Sequence, residues 1–432
     1  MKILKEGSIY IGTSVIQKTI PFLLMPFLTR ILSTEEYGIV AIFVVAASIY
    51  SLFIGASLNG FVRVIYHKST AKEFSDYVSN ALIFFIVLSL IAYTTTWVFE
   101  SSLSQLFGLE KSYLYLALFV AFSKFMFDMR LVIFQTMRQA FNFAKLQLTL
   151  PIIEMLLVIL LVFYLYKGAE GRVLSIVISS FVAGIVSMYL MHKAKLLRIS
   201  FNLNYFKRIA RYIFPLLPHS IAVTAFFTVD KLILSSNVGL SIVGELAVAL
   251  SLALPIWILA ESINTAFMPW AFEKFSEGKL DMVVGASYLL LIGLFIVGIL
   301  YSALLFFIFD LIVGETFKNV LYPALILIWA GWIKLAYYLF AKAIVYSEDM
   351  NYLPIISISS GCVYLGLIYT NIENITLVNV SFYMNAMFIV MFIGVLILSQ
   401  IKFPQPWCNF GSVLEALKIV NKNIRMQKWK KI

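Results

Sequence analysis

The chain has 432 residues, of which 62% are hydrophobic and 13% charged, with a mean hydropathy of +0.94 and a formal net charge of +11. Soluble domains carry about 25% charged residues, so this composition belongs in a lipid bilayer and leaves no stretch polar enough to fold as a separate water-soluble domain. The basic excess does not indicate nucleic acid, because Lys and Arg fall in alternate connections between apolar runs, as topology signals do.

A helix needs about 20 apolar residues to cross the hydrocarbon. The apolar runs predict about twelve spans: 8–32, 37–62, 77–99, 112–136, 145–166, 172–191, 212–236, 241–268, 283–308, 319–346, 353–370 and 377–400. The expected fold class is therefore an all-α polytopic membrane protein. Lys2 and Lys5 precede the first run, which continues through Leu32 without a small-residue cleavage site, so a retained first span is expected rather than a signal peptide. Lys334 and Lys342 interrupt the tenth run. Prolines such as Pro21, Pro26, Pro151, Pro255 and Pro269 lie inside or near span ends, which packed helical bundles tolerate.

Most Lys and Arg residues lie in the connections that share a side with the N-terminus, which predicts both termini in the cytoplasm and an even span count. Anionic-lipid contact accounts for such loop charges as well. The basic stretch 191–212 divides the spans six and six, so the expected domains are a six-helix lobe at 1–200, a second at 201–400 and a basic cytoplasmic tail at 401–432. The halves also echo each other. TRILSTEEYGIVAIFV, which contains Gly38, and DKLILSSNVGLSIVGELAVAL, which contains Gly244, share the order basic residue, apolar pair, Ser-containing turn, Gly and apolar helix. That pattern suits a parallel internal repeat.

Ionisable residues at membrane depth are costly, roughly 2.5–3.5 kcal/mol each at a helix centre, and mark functional sites by default. Lys18, Lys124, Asp128, Glu154, Asp230, Lys231, Glu261 and Lys334 all fall inside or at the edges of apolar runs. Lys124 and Asp128 are four apart and can pair on one helix face. Asp230 and Lys231 are adjacent. Glu154 and Glu261 need partners from other helices, or protonation. Arg30 sits where a long side chain can snorkel to the interface. Lys18 and Lys334 have no acid within helical reach, which points to a hydrated cavity suited to an anion such as phosphate, pyrophosphate or an acidic sugar.

Catalytic chemistry finds no footing. There is no HExxH, no GxSxG context, no P-loop and no glycine-rich dinucleotide turn. His67, His192 and His219 are far apart and give no metal site, and Cys362 and Cys408 form no CxxC pair. No enzyme activity, metal or cofactor is expected.

The segment QKTIPFLLMPFLTRILSTEEYG, with Pro26, Arg30, Leu32, Tyr37 and Gly38, resembles the start of bacterial polysaccharide-biosynthesis flippases. These are the O-antigen and capsule repeat-unit translocases of the multidrug/oligosaccharidyl-lipid/polysaccharide exporter superfamily. Further matches follow in register: Asn59 to Arg63, FPLLPHS from Phe214 to Ser220, Asp230–Lys231 with Gly239 and Gly244, and Asn264 with Pro269. Lys231 stands where the family often has Arg, and Glu245 where a Tyr commonly follows the Val-Gly pair. The resemblance implies two six-helix lobes around a central cleft with alternating access in the bacterial inner membrane. It implies an undecaprenyl-pyrophosphate-linked oligosaccharide as cargo, coupling to an ion gradient, and a polysaccharide polymerase and chain-length regulator as partners alongside membrane lipids. On this expectation Lys18, Lys124, Lys231, Lys334, Arg30 and Arg63 form a cationic cleft, and Asp128, Glu154, Asp230 and Glu261 are candidates for ion coupling. A multidrug exporter, a peptidoglycan-precursor flippase and a membrane polysaccharide polymerase are the alternatives.

Overall fold

A computed structural model describes residues 2–55, 57–198, 200–217, 220, 221, 224, 228–347, 352–409 and 411, with backbone only for 2–8 and 11. Among these residues there are fifteen α-helices and no strand. In chain order they are α1 (Lys2–Ile31), α2 (Thr34–Gly55), α3 (Leu58–Tyr66), α4 (Ala71–Val98), α5 (Glu100–Phe107), α6 (Lys111–Thr136), α7 (Ala140–Val158), α8 (Gly168–Lys193) and α9 (Leu203–Ile213). They continue as α10 (Val229–Asn237), α11 (Leu240–Ser276), α12 (Leu280–Ile312), α13 (Leu321–Tyr346), α14 (Leu353–Thr370) and α15 (Leu377–Lys402). A π-helical turn, Ile159–Tyr164, continues α7, and a 3₁₀ turn, Glu315–Val320, leads into α13.

Nine of the described helical stretches are long and apolar enough to cross a membrane. The chain is an all-helical multi-pass membrane protein. α6 has 26 residues, but Lys124, Asp128 and Arg130 within seven positions set it apart from those nine. The expected seventh span, 212–236, runs through residues outside the description, as do FPLLPHS in part, His219 and tail positions 412–432.

Several boundaries differ from the sequence expectation for local physical reasons. The run 37–62 is not one helix. It stops at Gly55 and restarts at Leu58 after Ser57 turns left-handed (φ 59°), and α3 buries Leu58, Phe61, Val62 and Ile65 on one side. The run 241–268 extends to Ser276 as a 37-residue helix that carries Pro255 and Pro269 internally. At 1.5 Å per residue it is roughly 55 Å long, well beyond the hydrocarbon thickness. Lys334 and Lys342 do not break α13, because both long side chains find places among neighbouring helices.

The chain divides into two compact units, residues 1–247 with 312–317, and residues 248–311 with 318–432. In the first unit, α6 packs on α8 and α2, and α1 packs on α7. One apolar cluster there joins Phe127, Leu131, Phe134, Phe143, Leu146 and Ala183. The basic connection after α8 is an ordered element rather than a loose loop. Asn80 on α4 donates to Ser200 O (3.1 Å) and accepts from Asn202 N (2.9 Å), and Asn202 then caps α9. Arg208 on α9 donates to the Tyr77 hydroxyl (2.7 Å). In the second unit α13 packs on α15, and the residues just past α15 fold back: Trp407 stacks on Phe340 (3.8 Å) and accepts a hydrogen bond from Tyr288 through its carbonyl.

The STEEYG segment does two jobs in this fold. Ser33 N donates to Glu36 Oε2 (2.9 Å) and Glu36 N donates to Ser33 Oγ (3.1 Å), a reciprocal capping box that starts α2. The second oxygen of the same carboxylate accepts from Ala169 N (3.2 Å) at the start of α8, so one acid satisfies two positive helix ends. At the start of α5, Lys111 and Tyr115 donate to Glu100, holding its carboxyl below the ordinary carboxylate range.

Gly38 and Gly244, the two glycines that echo each other in sequence, meet in space. A Cβ on Gly38 would lie 2.0 Å from Leu240 O, and one on Gly244 would lie 2.0 Å from Thr34 O. The backbones of α2 and α11 touch there, and neither tolerates a side chain. Gly38→Ala or Gly244→Ala should each destabilise the protein by about 3 kcal/mol or more, the upper end for overpacking. Gly293→Ala, where nothing lies within 4 Å, should be near neutral. Thermal unfolding of the purified protein in detergent checks this; a Gly38→Ala protein as stable as Gly293→Ala would refute the close contact.

Candidate functional site

Three of the expected cleft cations sit midway along their helices. Lys18 on α1, Lys124 on α6 and Lys334 on α13 each lie roughly 18–24 Å from either helix end, taking 1.5 Å per residue. Lys18 and Lys124 are exposed and Lys334 is half-buried. Exposure in such a molecule means open to lipid or to water, and an ammonium group at mid-depth is stable only toward water or a counter-charge.

Lys334 has found a counter-charge. Its Nζ lies 2.9 Å from Glu261 Oε1 on α11, above the rings of Trp257 (5.1 Å) and Tyr338 (5.7 Å). Trp257 is itself fixed by donating Nε1–H to Leu327 O (2.9 Å). An expected cargo-facing cation and an expected coupling acid therefore occupy one place, each partner supplied by a different helix. The acid remains 42% exposed while the lysine is 13% exposed, so the carboxylate is the member open to its surroundings.

Glu154 is likewise paired from outside its own helix, with Arg172 Nη1 on α8 at 2.7 Å and both side chains largely enclosed. Arg172 also donates to Ser175 Oγ (3.0 Å). Asp230 is fully buried at the start of α10 and accepts from Lys231 N (2.8 Å) and Lys231 Nζ (3.4 Å), a local closure of adjacent residues. The expected pairing of Lys124 with Asp128 is not made as a direct salt bridge: no contact within 4 Å joins them among the described residues, and the lysine is exposed while the acid is half-buried. Arg30 ends α1 exposed, donating to Pro26 O (3.3 Å), one of the carbonyls near the proline kinks. Arg63 ends α3 and donates to Gln135 Oε1 on α6 (3.1 Å). These two arginines tie helix ends and do not lie at mid-depth.

Polar groups that the sequence reading did not single out as sites complete the picture. Gln147 on α7 donates to Gln17 on α1, one residue from Lys18. Lys342 is 1% exposed; its Nζ has no hydrogen-bond acceptor among the described residues and rests 4.6 Å above Phe267. Arg130 is 6% exposed, and its Nε and Nη1 likewise lack acceptors among the described residues. Arg172 reads from sequence as a boundary residue, because only the packing of α7 on α8 brings it to Glu154. No group of three or more His, Cys, Asp or Glu suited to a metal occurs among the described residues.

Long apolar helices carrying paired and exposed charges at mid-depth define a polytopic membrane protein, and its fold agrees with solved structures. It superposes on the lipid II flippase MurJ in an inward closed conformation with a TM-score of 0.73, covering 95% of this chain and 91% of that one at 14% identity. An inward-facing multidrug resistance MATE family transporter of the MOP superfamily gives a TM-score of 0.71, covering 89% and 94% at 12% identity. Residues 3–275 match the family described as polysaccharide biosynthesis protein, and the chain belongs to that family. It is also similar to two Haemophilus influenzae proteins. One is an uncharacterized membrane protein, 24% identical over 391 residues that span 86% of this chain and 92% of that one. The other is Lsg locus putative protein 1, 24% identical over 285 residues that span 65% and 68%.

If Glu261 and Lys334 hold each other at depth, Lys334→Met alone should destabilise the protein by about 1–3 kcal/mol, since it strands a partly enclosed carboxylate. Adding Glu261→Gln should restore at least half of the loss. Thermal midpoints of the three variants measure this. Strict additivity would mean that the pair contributes nothing.

Proposed function

We propose that this protein is a flippase that carries an undecaprenyl-pyrophosphate-linked oligosaccharide repeat unit, of O-antigen or capsule type, from the cytoplasmic to the periplasmic leaflet of the bacterial inner membrane. It works by alternating access coupled to an ion gradient, and both termini are cytoplasmic. The observation that carries the reading is the set of lysines at mid-depth, above all the exposed Lys18 in the middle of α1. A cation there is stabilised by a pyrophosphate entering from the inner leaflet and repelled by a cationic drug. Family membership supports the polysaccharide side of the assignment.

In this mechanism Lys18, Lys124 and the Lys334–Glu261 pair hold the anionic headgroup in turn while the polyprenyl chain stays in lipid. Glu261, open where its lysine is enclosed, exchanges its salt bridge for a proton or cation as the headgroup competes for Lys334. Asp128, Glu154 and Asp230 are further coupling candidates, of which Glu154 is paired with Arg172 from another helix. Arg30, Arg63 and Lys231 steer the headgroup at helix ends.

Deleting the gene in its host should abolish surface polysaccharide, single repeat units included, and leave lipid-linked repeat units on the cytoplasmic leaflet. Complementation with Lys18→Ala should restore less than about a fifth of wild-type display at normal protein levels. Single repeat units persisting on the surface of the deletion strain would identify a polymerase instead. Unchanged display together with lost efflux of a cationic dye would identify a drug exporter. Arrest of cell-wall synthesis on depletion would identify a peptidoglycan-precursor flippase.

A further inference from the structure

In the first unit, one cluster of cations lies away from the mid-depth lysines. α6 ends, turns within three residues and reverses into α7, while α8 ends beside them. Between these helix ends lies a cleft of about 380 Å³ bordered by Arg130, Asn142, Lys145, Thr149 and Lys193 over an apolar floor that includes Phe134 and Leu190. Among the described residues no acidic side chain lines it.

Arg130 is the distinctive member. It is 94% buried by its 6% exposure, its guanidinium carbon lies 4.0 Å above the Phe134 ring, and Nε and Nη1 have neither solvent nor an acceptor. An enclosed guanidinium with two unused donors is an expensive arrangement unless an anion completes it. Its flat fork matches phosphate oxygens in pairs. The remaining surroundings favour the same charge. The first turn of α7 opens onto the cleft with no side-chain cap on its amide groups, its preceding residue Gln139 being occupied by a bond from Asn142. Lys145 Nζ hovers 4.6 Å above the exposed ring of Phe141. Arg138 and Lys195, just beyond the ends of α6 and α8, adopt left-handed backbones (both φ 55°) at positions where glycine ordinarily closes a helix. Each is the chain neighbour of a residue that lines the cleft, Gln139 and Ala194.

We propose that this cleft binds the phosphate headgroup of a resident anionic phospholipid of the inner leaflet, as a site separate from the cargo path. The charge bias of the connections puts these helix ends at the cytoplasmic surface, where basic pockets between transmembrane helices hold such headgroups. Free phosphate shares the oxyanion chemistry but has no use for the apolar floor. A lipid satisfies both: its phosphodiester engages Arg130, Lys145 and the α7 amide groups, and its acyl chains lie along the apolar side chains.

The test uses the full-length purified protein, titrated with short-chain phosphatidylglycerol, with short-chain phosphatidylcholine and with inorganic phosphate. Lipid retention is read by native mass spectrometry and stabilisation by thermal unfolding. Phosphatidylglycerol should be retained at least tenfold more tightly than phosphatidylcholine, and inorganic phosphate should protect only at concentrations a hundredfold higher or more. Arg130→Gln should lose the phosphatidylglycerol preference. Should that variant fold poorly, Lys145→Gln with Lys193→Gln, both at exposed positions, should weaken the preference about tenfold in a folded protein. Equal binding of the two lipids by wild type would overturn the proposal, as would an unchanged preference in the double lysine variant. Full protection by inorganic phosphate alone would overturn the assignment to a lipid.

Discussion

A charge midway along a membrane-spanning helix has two stable surroundings, a counter-charge from a neighbouring helix or water, and much of this structure follows from that restriction. Each way of meeting it is visible. Lys334 reaches Glu261 on another helix and Glu154 reaches Arg172 on another helix. Lys342 and Arg130 lean on aromatic faces with donors left over. Lys18 and Lys124 stay exposed. The charges that are paired hold helices together. Incompletely satisfied charges such as Arg130 are where an anionic ligand gains the most.

The second organising constraint is backbone proximity. Where α2 and α11 begin, the chain runs close enough to itself that carbonyl oxygens occupy the space of a Cβ at Gly38 and Gly244. The same corner contains the Glu36 carboxylate, which starts α2 and α8 together. A sequence of few polar residues thus places several of them at one junction, where helix ends supply unsatisfied amide groups that lipid cannot satisfy. The STEEYG segment that marks the family resemblance is in this reading a structural joint, distinct from the mid-depth lysines that carry the transport proposal.

Family membership points the same way as these charges, but at different resolution. The fold is shared with a lipid II flippase and with a multidrug resistance transporter, so architecture alone does not choose the cargo. The proposed cargo rests on the lysines at mid-depth, one of which, Lys334, holds Glu261. The cationic cleft at the ends of α6, α7 and α8 adds a different anion site, set apart by its position at helix ends and by an arginine enclosed on nearly all sides.

Much of this protein was legible from its sequence. Runs of apolar residues determined the helices, because a chain in lipid must satisfy its own backbone hydrogen bonds. Ionisable residues inside those runs marked the places of interest, because lipid makes them costly. The echo of Gly38 in Gly244 foreshadowed a relation between two segments that the fold turns into direct contact. Pairing was decided only by tertiary structure. Helical spacing favoured Lys124 with Asp128, yet the direct salt bridge formed is the one that joins Glu261 to Lys334 across 73 positions of sequence. It also drew Arg172, a boundary residue by composition, onto Glu154, and closed a cleft around Arg130. The physical reason is that depth in the membrane is encoded along the chain by hydropathy, whereas the neighbour of a charge at that depth depends on which helices lie side by side and how each is rotated about its axis.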